Sequence, residues 1–365
     1  MLKLLISHFQ KFDWLMVIAA LLLCLMGLCS LYGISAAKGE FENFTKQAVF
    51  LGIGFFLMLV LSFFNWQNLR EDPYFILILY FLSLTSLAGL LLFAPSIRGV
   101  KSWYRIAGFS LDPIEVTKII LIILLAKYFS LRHVEMYRIQ HIFLSGFYVL
   151  LPIILVFFQP NMGSVLVLIA LWLGILFISG IKTRHFLILC LCAILLFVFG
   201  WNAFLKDYQK GRIIAFFFPQ REPLGAGWSQ IQSKIAIGSG GLFGKGVGKG
   251  SQTQYGFLPE PHNDFIFSVT AEEMGFAGVS VLLLLNIFLI GRILKIAASM
   301  QTNFSRILAL GIALNLVIQI FINIGMNLGI MPVIGVALPF VSYGGSGLVA
   351  NFAALGILQG IKANQ

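Results

Sequence analysis

The sequence predicts an all-α polytopic membrane protein with ten transmembrane helices and a large extracytoplasmic loop between helices 7 and 8. Hydrophobic residues make up 59% of the 365 positions and charged residues only 11%, against about 25% charged in soluble domains. The mean hydropathy is +0.95. The apolar runs approach the ~20 residues that a spanning helix needs. They are continuous rather than alternating, which disfavours a β-barrel.

Ten apolar segments are predicted to cross the membrane, and no further domain interrupts them. The chain, residues 1–365, is therefore predicted to be one membrane domain in which residues 201–263 form the long loop. The ten segments lie near residues 14–36, 46–64, 74–95, 114–130, 142–158, 162–180, 185–200, 264–291, 305–327 and 335–360.

The distribution of cations predicts the orientation. Ten crossings place both termini on the same side. With the N-terminus inside, the inner segments carry twelve Lys and Arg residues and the short outer segments carry five. Because short cytoplasmic loops are enriched in cations, both termini are predicted to be cytoplasmic and the long loop to lie outside.

The cations also suggest partners. The net charge of +11 is explained by attraction to anionic membrane lipids. Cations alternate with aromatic residues in the outer segments 96–113 and 201–263, a pattern that suits a surface for lipid headgroups. The membrane setting excludes nucleic acid as a partner.

Glu115 and Lys118 begin the fourth predicted span, just after Pro113. Pro and Glu are both favoured at a helix start, and a spacing of three places the two charges on one face. Two interpretations stay open. The pair is either a helix-start acid beside a lysine that extends toward the membrane surface, or a charge pair that lines a polar cavity.

A polar stripe follows one face of the ninth predicted span, where Asn315, Gln319, Asn323 and Asn327 recur every four residues. The stripe is explained either by hydrogen bonds between helices, worth about 1 kcal/mol or less each, or by a hydrated cavity.

Residues 238–250 contain seven glycines in thirteen positions. Glycine-rich backbone can approach a phosphate closely, but the spacing of a P-loop is absent. A flexible loop and a phosphate-binding loop are both consistent with the composition.

The stretch 256–267 returns the chain from the long loop to the membrane, with His262 and Asp264 at the point of entry. Ionisable groups at such a boundary indicate a functional site. From the residues alone, Asp264 is equally a helix N-cap and a general base. Two further carboxylates, Glu272 and Glu273, lie inside the eighth span, and at least one of them should face the bundle interior or a cation.

These elements together resemble the SEDS family (shape, elongation, division and sporulation), whose rod-shape and division members are peptidoglycan glycosyltransferases. The resemblance covers essentially the whole chain. The run Ala271-Glu272-Glu273 is more similar to the rod-shape branch than to the division branch. The matching motifs are Pro113-Ile114-Glu115-Val116-Thr117-Lys118, Tyr208-Gln209-Lys210-Gly211-Arg212-Ile213, the Gly-rich run 238–250, the stretch 258–267 and Leu338-Pro339-Phe340-Val341-Ser342-Tyr343-Gly344-Gly345-Ser346.

The resemblance implies polymerisation of lipid II, in the cytoplasmic membrane of a bacterium, for cell-wall elongation and shape. It implies Asp264 as the catalytic base, a divalent cation (Mg or Mn) without assigned ligands, no organic cofactor, and a class B penicillin-binding protein as partner. A lipid II flippase or transporter is the alternative. The residues implied to bind substrate are Lys46, Glu115, Lys118, Arg212, His262 and Ser342.

The chain also departs from the family pattern. Asn161 stands where the family has Asp, and Lys46 where it has Arg. Lys46 keeps the charge but loses the bidentate guanidinium, and Asn161 removes a carboxylate from any metal site there. Other departures are at Ser102, Asp112, Ile114 and Gly347.

Overall fold

The computed structural model describes residues 8–66, 73–95, 101–106, 108–132, 139–203, 207–218 and 226–364. In chain order the elements are α1 Trp14–Lys38, α2 Glu42–Ser62, α3 Pro73–Phe93, β1 Tyr104–Ile106, β2 Phe109–Leu111, α4 Pro113–Arg132, α5 Ile139–Phe158, α6 Met162–Ile178, α7 Thr183–Ala203, α8 Asp207–Phe217, α9 Ala226–Ser239, α10 Ser251–Gln254, α11 Ile266–Ser299, α12 Asn303–Leu328 and α13 Gly345–Ala363.

Eight of these helices are long and apolar enough to cross a membrane, namely α1, α2, α3, α5, α7, α11, α12 and α13. The other two predicted spans are also helices. α4 contains Glu115, Lys118 and Lys127, and α6 has 17 residues, which is about 26 Å of helix. The predicted membrane helices are therefore present, and the number ten stays a prediction.

An ion cluster joins three helices at one end of the bundle, here called the Asp13 end. Asp13 accepts hydrogen bonds from Arg292 of α11 at 2.6 Å and from Lys362 of α13 at 3.1 Å. Its backbone N–H donates to Gln359 at 2.9 Å. Residues 13 and 362 thus lie at the same end of the bundle.

Small residues allow close helix packing in the core. A Cβ on Gly356 of α13 would lie 2.6 Å from the carbonyl oxygen of Met58 on α2, and one on Gly54 of α2 would lie 3.0 Å from Phe352. Such contacts between small residues are typical of membrane helices, where van der Waals packing rather than the hydrophobic effect drives association.

The outer connections are more ordered than the sequence predicts. The segment before α4 contains an antiparallel hairpin in which Tyr104 pairs with Leu111, so the fold is not purely helical. The predicted loop 201–263 contains the end of α7 and all of α8, α9 and α10. Residues 204–206 and 219–225 of that loop lie outside the described residues.

The eighth predicted span is interrupted. α11 has 34 residues, about 51 Å of helix, and it contains two helices joined at Gly275 (φ 66°, ψ −166°), a conformation that is essentially restricted to glycine. The first of them runs parallel to α1, because Ser30 contacts Thr270 and Gly33 contacts Glu273. Residues 266–274 therefore run toward the Lys38 end of α1, and Asp264 lies recessed within the bundle rather than at its rim.

The Gly-rich run fills this interruption, so the prediction of a flexible loop is wrong. Its N–H groups at 245 and 246 donate to the carbonyls of Glu272 and Glu273 at 3.0 and 2.9 Å, and its carbonyls at 241 and 242 accept from residues 276 and 277 at 2.9 Å each. A Cβ on Gly244 would lie 2.1 Å from the carbonyl of Glu273. Glycine is needed there for close backbone contact with α11, and the run is not a loose loop.

The buried carboxylates at 272 and 273 behave as the sequence predicts. Glu272 is fully buried. It accepts hydrogen bonds from Lys245 Nζ at 2.9 Å and from the backbone N–H of Gln252 at 3.0 Å. Glu273 accepts from the N–H of Gly248 at 2.9 Å. Both side chains anchor the Gly-rich run to α11.

Candidate active site

Residues 330–347, which connect α12 to α13, bring the predicted site residues together; we call this segment the hub. Ser342 stands at its centre. Its hydroxyl donates to the carbonyl of Asn263 at 2.7 Å and accepts from the N–H of Leu338 at 2.8 Å. The N–H of Tyr343 donates to the carbonyl of His262 at 2.8 Å. The hub therefore holds the backbone on both sides of residue 263.

α2 meets the hub through Gln47, a buried polar residue that motif reasoning missed. Its amide donates to the carbonyl of Ser342 at 3.1 Å and accepts from the N–H of Gly344 at 3.2 Å. The neighbouring Lys46 donates to Glu42 at 2.5 Å and to the carbonyl of Gly108 at 2.8 Å. This arrangement places a cation beside the start of α13.

The Glu115–Lys118 pair adjoins the same segment. The lysine Nζ lies 2.8 Å from Oε2 of Glu115, and the lysine side chain is only 3% exposed. The prediction that the two charges share one helix face is confirmed. The interpretation that Lys118 extends to the membrane surface is wrong, because it is buried. A Cβ on Gly347 would lie 3.8 Å from the Glu115 carboxyl carbon, so the pair faces the first turn of α13.

Asp112 is a second residue that the motifs did not reveal. Its N–H donates to Ser346 Oγ at 3.1 Å, and its carboxylate accepts from the N–H of Ile114 at 3.2 Å. Burial, followed by repulsion from Glu115, raises the pKa of Asp112 to about 7, because the charged form is disfavoured away from water and beside a like charge. This corner of the site therefore changes charge near neutral pH.

Asp264 is held through its main chain. Its carbonyl accepts hydrogen bonds from Asn323 at 3.1 Å and Asn327 at 2.9 Å, which confirms the interhelical interpretation for this half of the polar stripe. Its carboxylate faces the hub, since a Cβ on Gly335 would lie 3.4 Å from Oδ2. The N-cap of α11 is Phe265, which makes no side-chain cap bond, so the N-cap interpretation of Asp264 is wrong.

The other half of the stripe has a different environment. Asn315 and Gln319 are buried, and among the described residues Asn315 Oδ1 and Gln319 Nε2 lack a hydrogen-bond partner.

The remaining predicted residues lie around this centre. The exposed Arg212 of α8 donates to the hub carbonyl of Val333 at 3.3 Å. The imidazole of His262 lies 3.5 Å from the Glu260 carboxylate and packs edge-on against Tyr343, with the ring centroids 5.9 Å apart. All seven predicted site residues thus contact the hub or adjoin a residue that does.

The described residues do not fit a metal site built by the protein. Across the described ranges, no group of three His, Cys, Asp or Glu side chains is close enough to hold an ion. Asn161 caps α6 by accepting from the N–H of Ser164 at 3.2 Å and donates to Ser102 at 3.2 Å. Its carboxamide acts as a structural cap.

Comparison with known proteins places this arrangement in a family. The family described as "Cell cycle protein" (FtsW, RodA, SpoVE) matches residues 13–365. The peptidoglycan glycosyltransferase MrdB of Escherichia coli (strain K12) is 39% identical over 79% of this chain and 77% of its own length. The probable peptidoglycan glycosyltransferase FtsW of Geobacter sp. (strain M18) is 34% identical over 97% of each chain.

A solved structure has the same architecture. One chain of a peptidoglycan synthase complex, described as coordinating polymerization and crosslinking, superposes with a TM-score of 0.82 at 30% identity. The alignment covers 97% of this chain and 98% of the other. Relatives named MrdB and FtsW both match, so the comparisons support the family without selecting a branch. The chain belongs to the FtsW/RodA/SpoVE family of cell cycle proteins.

Proposed function

We propose that this chain is a peptidoglycan glycosyltransferase that polymerises lipid II into β-1,4-linked glycan strands and releases undecaprenyl pyrophosphate. One observation carries the proposal. A single segment, the hub, bonds to the carbonyl of Asn263 just before Asp264 on one side and contacts Glu115, the partner of the buried Lys118, on the other. A carboxylate and a buried cation are thereby fixed around one region, as a reaction with an acceptor hydroxyl and an anionic leaving group requires.

Asp264 is proposed as the general base. Its carboxylate takes the proton from the 4-hydroxyl of the acceptor GlcNAc as that oxygen attacks C1 of the donor sugar. The new C1–O bond forms as the bond from C1 to the pyrophosphate oxygen breaks on the opposite face. One such displacement inverts C1 and requires no covalent enzyme intermediate. The proton on Asp264 then passes to water.

The cations are proposed to stabilise the leaving pyrophosphate. Lys118 is buried and oriented by Glu115, so its charge is little screened by water. Arg212 of α8 donates to the hub, and Lys46 of α2 precedes Gln47, which bonds to the hub. The N-terminus of the 19-residue α13 adds positive potential beside Lys118. His262 is proposed to contact the sugar.

Ser342 is proposed to position the site rather than bind substrate. Its hydroxyl donates its one hydrogen to the carbonyl of Asn263 and accepts from the N–H of Leu338. It therefore has no hydrogen left to donate to a substrate. This revises the substrate-binding role that the family resemblance implies.

We also propose ten crossings within one domain, 1–365, in a bacterial cytoplasmic membrane. α4 and α6 complete the bundle, because Gly311 of α12 lies against both Ile122 and Ile175. The cation-rich Asp13 end is proposed to be cytoplasmic. The run Ala271-Glu272-Glu273 supports a role in elongation.

A class B penicillin-binding protein is proposed as the partner. The structural relative comes from a complex described as coordinating polymerization and crosslinking, and a strand made by this chain would need a crosslinking enzyme. The divalent cation, Mg or Mn, stays a prediction. Because no three ligand side chains lie close together among the described residues, the pyrophosphate itself would have to supply most of its ligands.

The test uses purified protein in detergent with fluorescent lipid II, with and without divalent cation and partner. Glycan strands resolved on a gel are the expected product. Asp264→Asn should remove them while the melting temperature stays that of the wild type.

Liposomes distinguish the transporter. Translocation of lipid II that survives Asp264→Asn, with no glycan product from the wild type under any condition, would establish the flippase and overturn the proposal.

A further inference from the structure

The first turn of α11 is capped by a side chain from α12. The N–H of Ser268 is one of the first N–H groups of the helix, which have no partner within the helix itself. Here the N–H of Ser268 donates to Asn327 Oδ1 at 3.3 Å, and the carbonyl of Asp264 accepts from Asn327 Nδ2 at 2.9 Å. The carboxamide of Asn327 thus bridges both groups, and α11 begins two residues after Asp264.

A second carboxamide ties the same carbonyl to the hub. Asn323 Nδ2 donates to the carbonyl of Asp264 at 3.1 Å and to that of Val336 at 2.8 Å. Gly335, next to Val336, faces the Asp264 carboxylate. Asn323 therefore fixes the distance between Asp264 and the part of the hub that its carboxylate faces.

Burial makes this geometry stringent. Asn323 and Asn327 are both fully buried, and an unpaired buried polar group costs about 1–3 kcal/mol. Ser268 Oγ lies 2.5 Å from Asn327 Oδ1 and 2.6 Å from Ser233 Oγ of α9, so three helices share the network. Displacing the backbone of residue 264 would break several bonds together.

We propose that Asn327 and Asn323 are positioning residues that aim the Asp264 carboxylate at the acceptor hydroxyl. This inference rests on the proposed function of Asp264. Neutral carboxamides suit the task, because they hold the backbone without adding a cation that would pair with the carboxylate.

The test compares Asn327→Leu with Asn286→Leu. Both remove a buried asparagine, but Asn286 bonds only to Leu282 of its own helix among the described residues. In Asn327→Leu the kcat for lipid II polymerisation should fall about tenfold to a hundredfold, and KM should not change. A loss of this size is expected when a catalytic group is misplaced by up to an ångström. Asn286→Leu should keep the wild-type kcat.

Two further variants guard against misfolding. Asn327→Asp is isosteric and keeps the acceptor for Ser268 while removing the donor to residue 264, so its kcat should fall at a pH where the new carboxyl is ionised. Asn323→Leu should also lower kcat with KM unchanged.

The outcomes separate the two proposals. If Asp264→Asn is inactive and folded Asn327→Asp and Asn323→Leu both keep the wild-type kcat, the positioning role is wrong and the proposed function stands. If Asp264→Asn itself polymerises lipid II, the function of Asp264 is wrong and the positioning role falls with it. A rise in KM with unchanged kcat would indicate substrate binding instead and would also overturn the positioning role.

Discussion

Two aspartates of the bundle, Asp13 at the start of α1 and Asp264 just before α11, are held in different ways. Asp13 receives two cations, Arg292 at 2.6 Å and Lys362 at 3.1 Å, and its side chain is 2% exposed. Asp264 is held by its main-chain carbonyl, through the neutral side chains of Asn323 and Asn327. The first arrangement neutralises the carboxylate. The second fixes the main chain of the residue and adds no charge beside its carboxylate.

The difference separates stability from chemistry. The ion cluster at Asp13 links α1, α11 and α13, which are distant in sequence, and so contributes to stability. Its carboxylate cannot readily accept a proton, because two cations stabilise its charged form. A base must be positioned without such neutralisation. Substitutions at the Asp13 cluster should therefore change stability, and those around Asp264 should change turnover.

The largest effect is expected at Gly275. The break there sets the position of residues 266–274 within the bundle, and with them that of Asp264. In Gly275→Ala the Cβ would lie 2.2 Å from the backbone nitrogen of Gly244, in a conformation closed to alanine. Backbone strain and overpacking together should cost about 2–6 kcal/mol. The melting temperature and activity should both fall.

Gly291→Ala is the matched control on the same element, because a Cβ there meets nothing within 4 Å. It should keep activity and gain slightly in stability. Equal melting temperatures for the two variants would contradict the interpretation of the break.

Next in size is Asp13→Asn, which removes the charge that neutralises Arg292 and Lys362. Breaking such a buried pair costs about 3 kcal/mol, so the melting temperature should fall while turnover per folded molecule is retained. The exposed Glu40→Gln at the other end of α1 should change neither. Lost turnover in folded Asp13→Asn would contradict the distinction between the two aspartates.

The pH dependence of this effect has a definite sign. Burial raises the pKa of Asp13, but hydrogen bonds from Arg292 and Lys362 outweigh it and lower the pKa below its ordinary value. Its contribution to stability is therefore complete above the unfolded-state pKa and is lost as pH falls through the lower folded-state value. The stability difference from Asp13→Asn should shrink at strongly acidic pH.

Lys118→Met tests the cation side of the candidate site. Removal of one preorganised donor to a developing charge typically costs about 100- to 1000-fold in kcat, which should appear in polymerisation of lipid II. Lys295→Met, an exposed lysine on α11, provides the matched control and should be neutral. Equal rates for the two variants would remove Lys118 from the leaving-group site.

Asp112 tests the pH dependence of the same corner of the site. Its pKa of about 7 lies above the unfolded value, so wild-type stability falls as pH rises from about 4 to 7 and levels above that. Asp112→Asn removes this penalty. Its melting temperature should exceed that of the wild type at pH 8 and match it near pH 4. A difference that does not vary with pH would contradict the assigned pKa.

The sequence predicts the membrane helices well because each apolar run carries its own signal. Pairing of Glu115 with Lys118 was equally predictable, since it is local to one helix. The break at Gly275 was not, because the apolar composition continues through it and the Gly-rich run that completes it lies about 30 residues earlier. The stripe at Asn323 and Asn327 was visible, but its target carbonyl depends on tertiary packing. Asp112 and Gln47 belong to the site only because the hub, which is distant in sequence, folds against them.

The most direct test of the central claim is the ratio of polymerisation rates for Asp264→Asn and Asp13→Asn, each per mole of folded protein in one detergent with labelled lipid II. Removal of a general base costs about 100- to 10,000-fold, so Asp264→Asn should give little or no glycan at a wild-type melting temperature. Asp13→Asn should polymerise at the wild-type rate despite its lower melting temperature. Comparable glycan synthesis by both variants would contradict the assignment of Asp264 as the base.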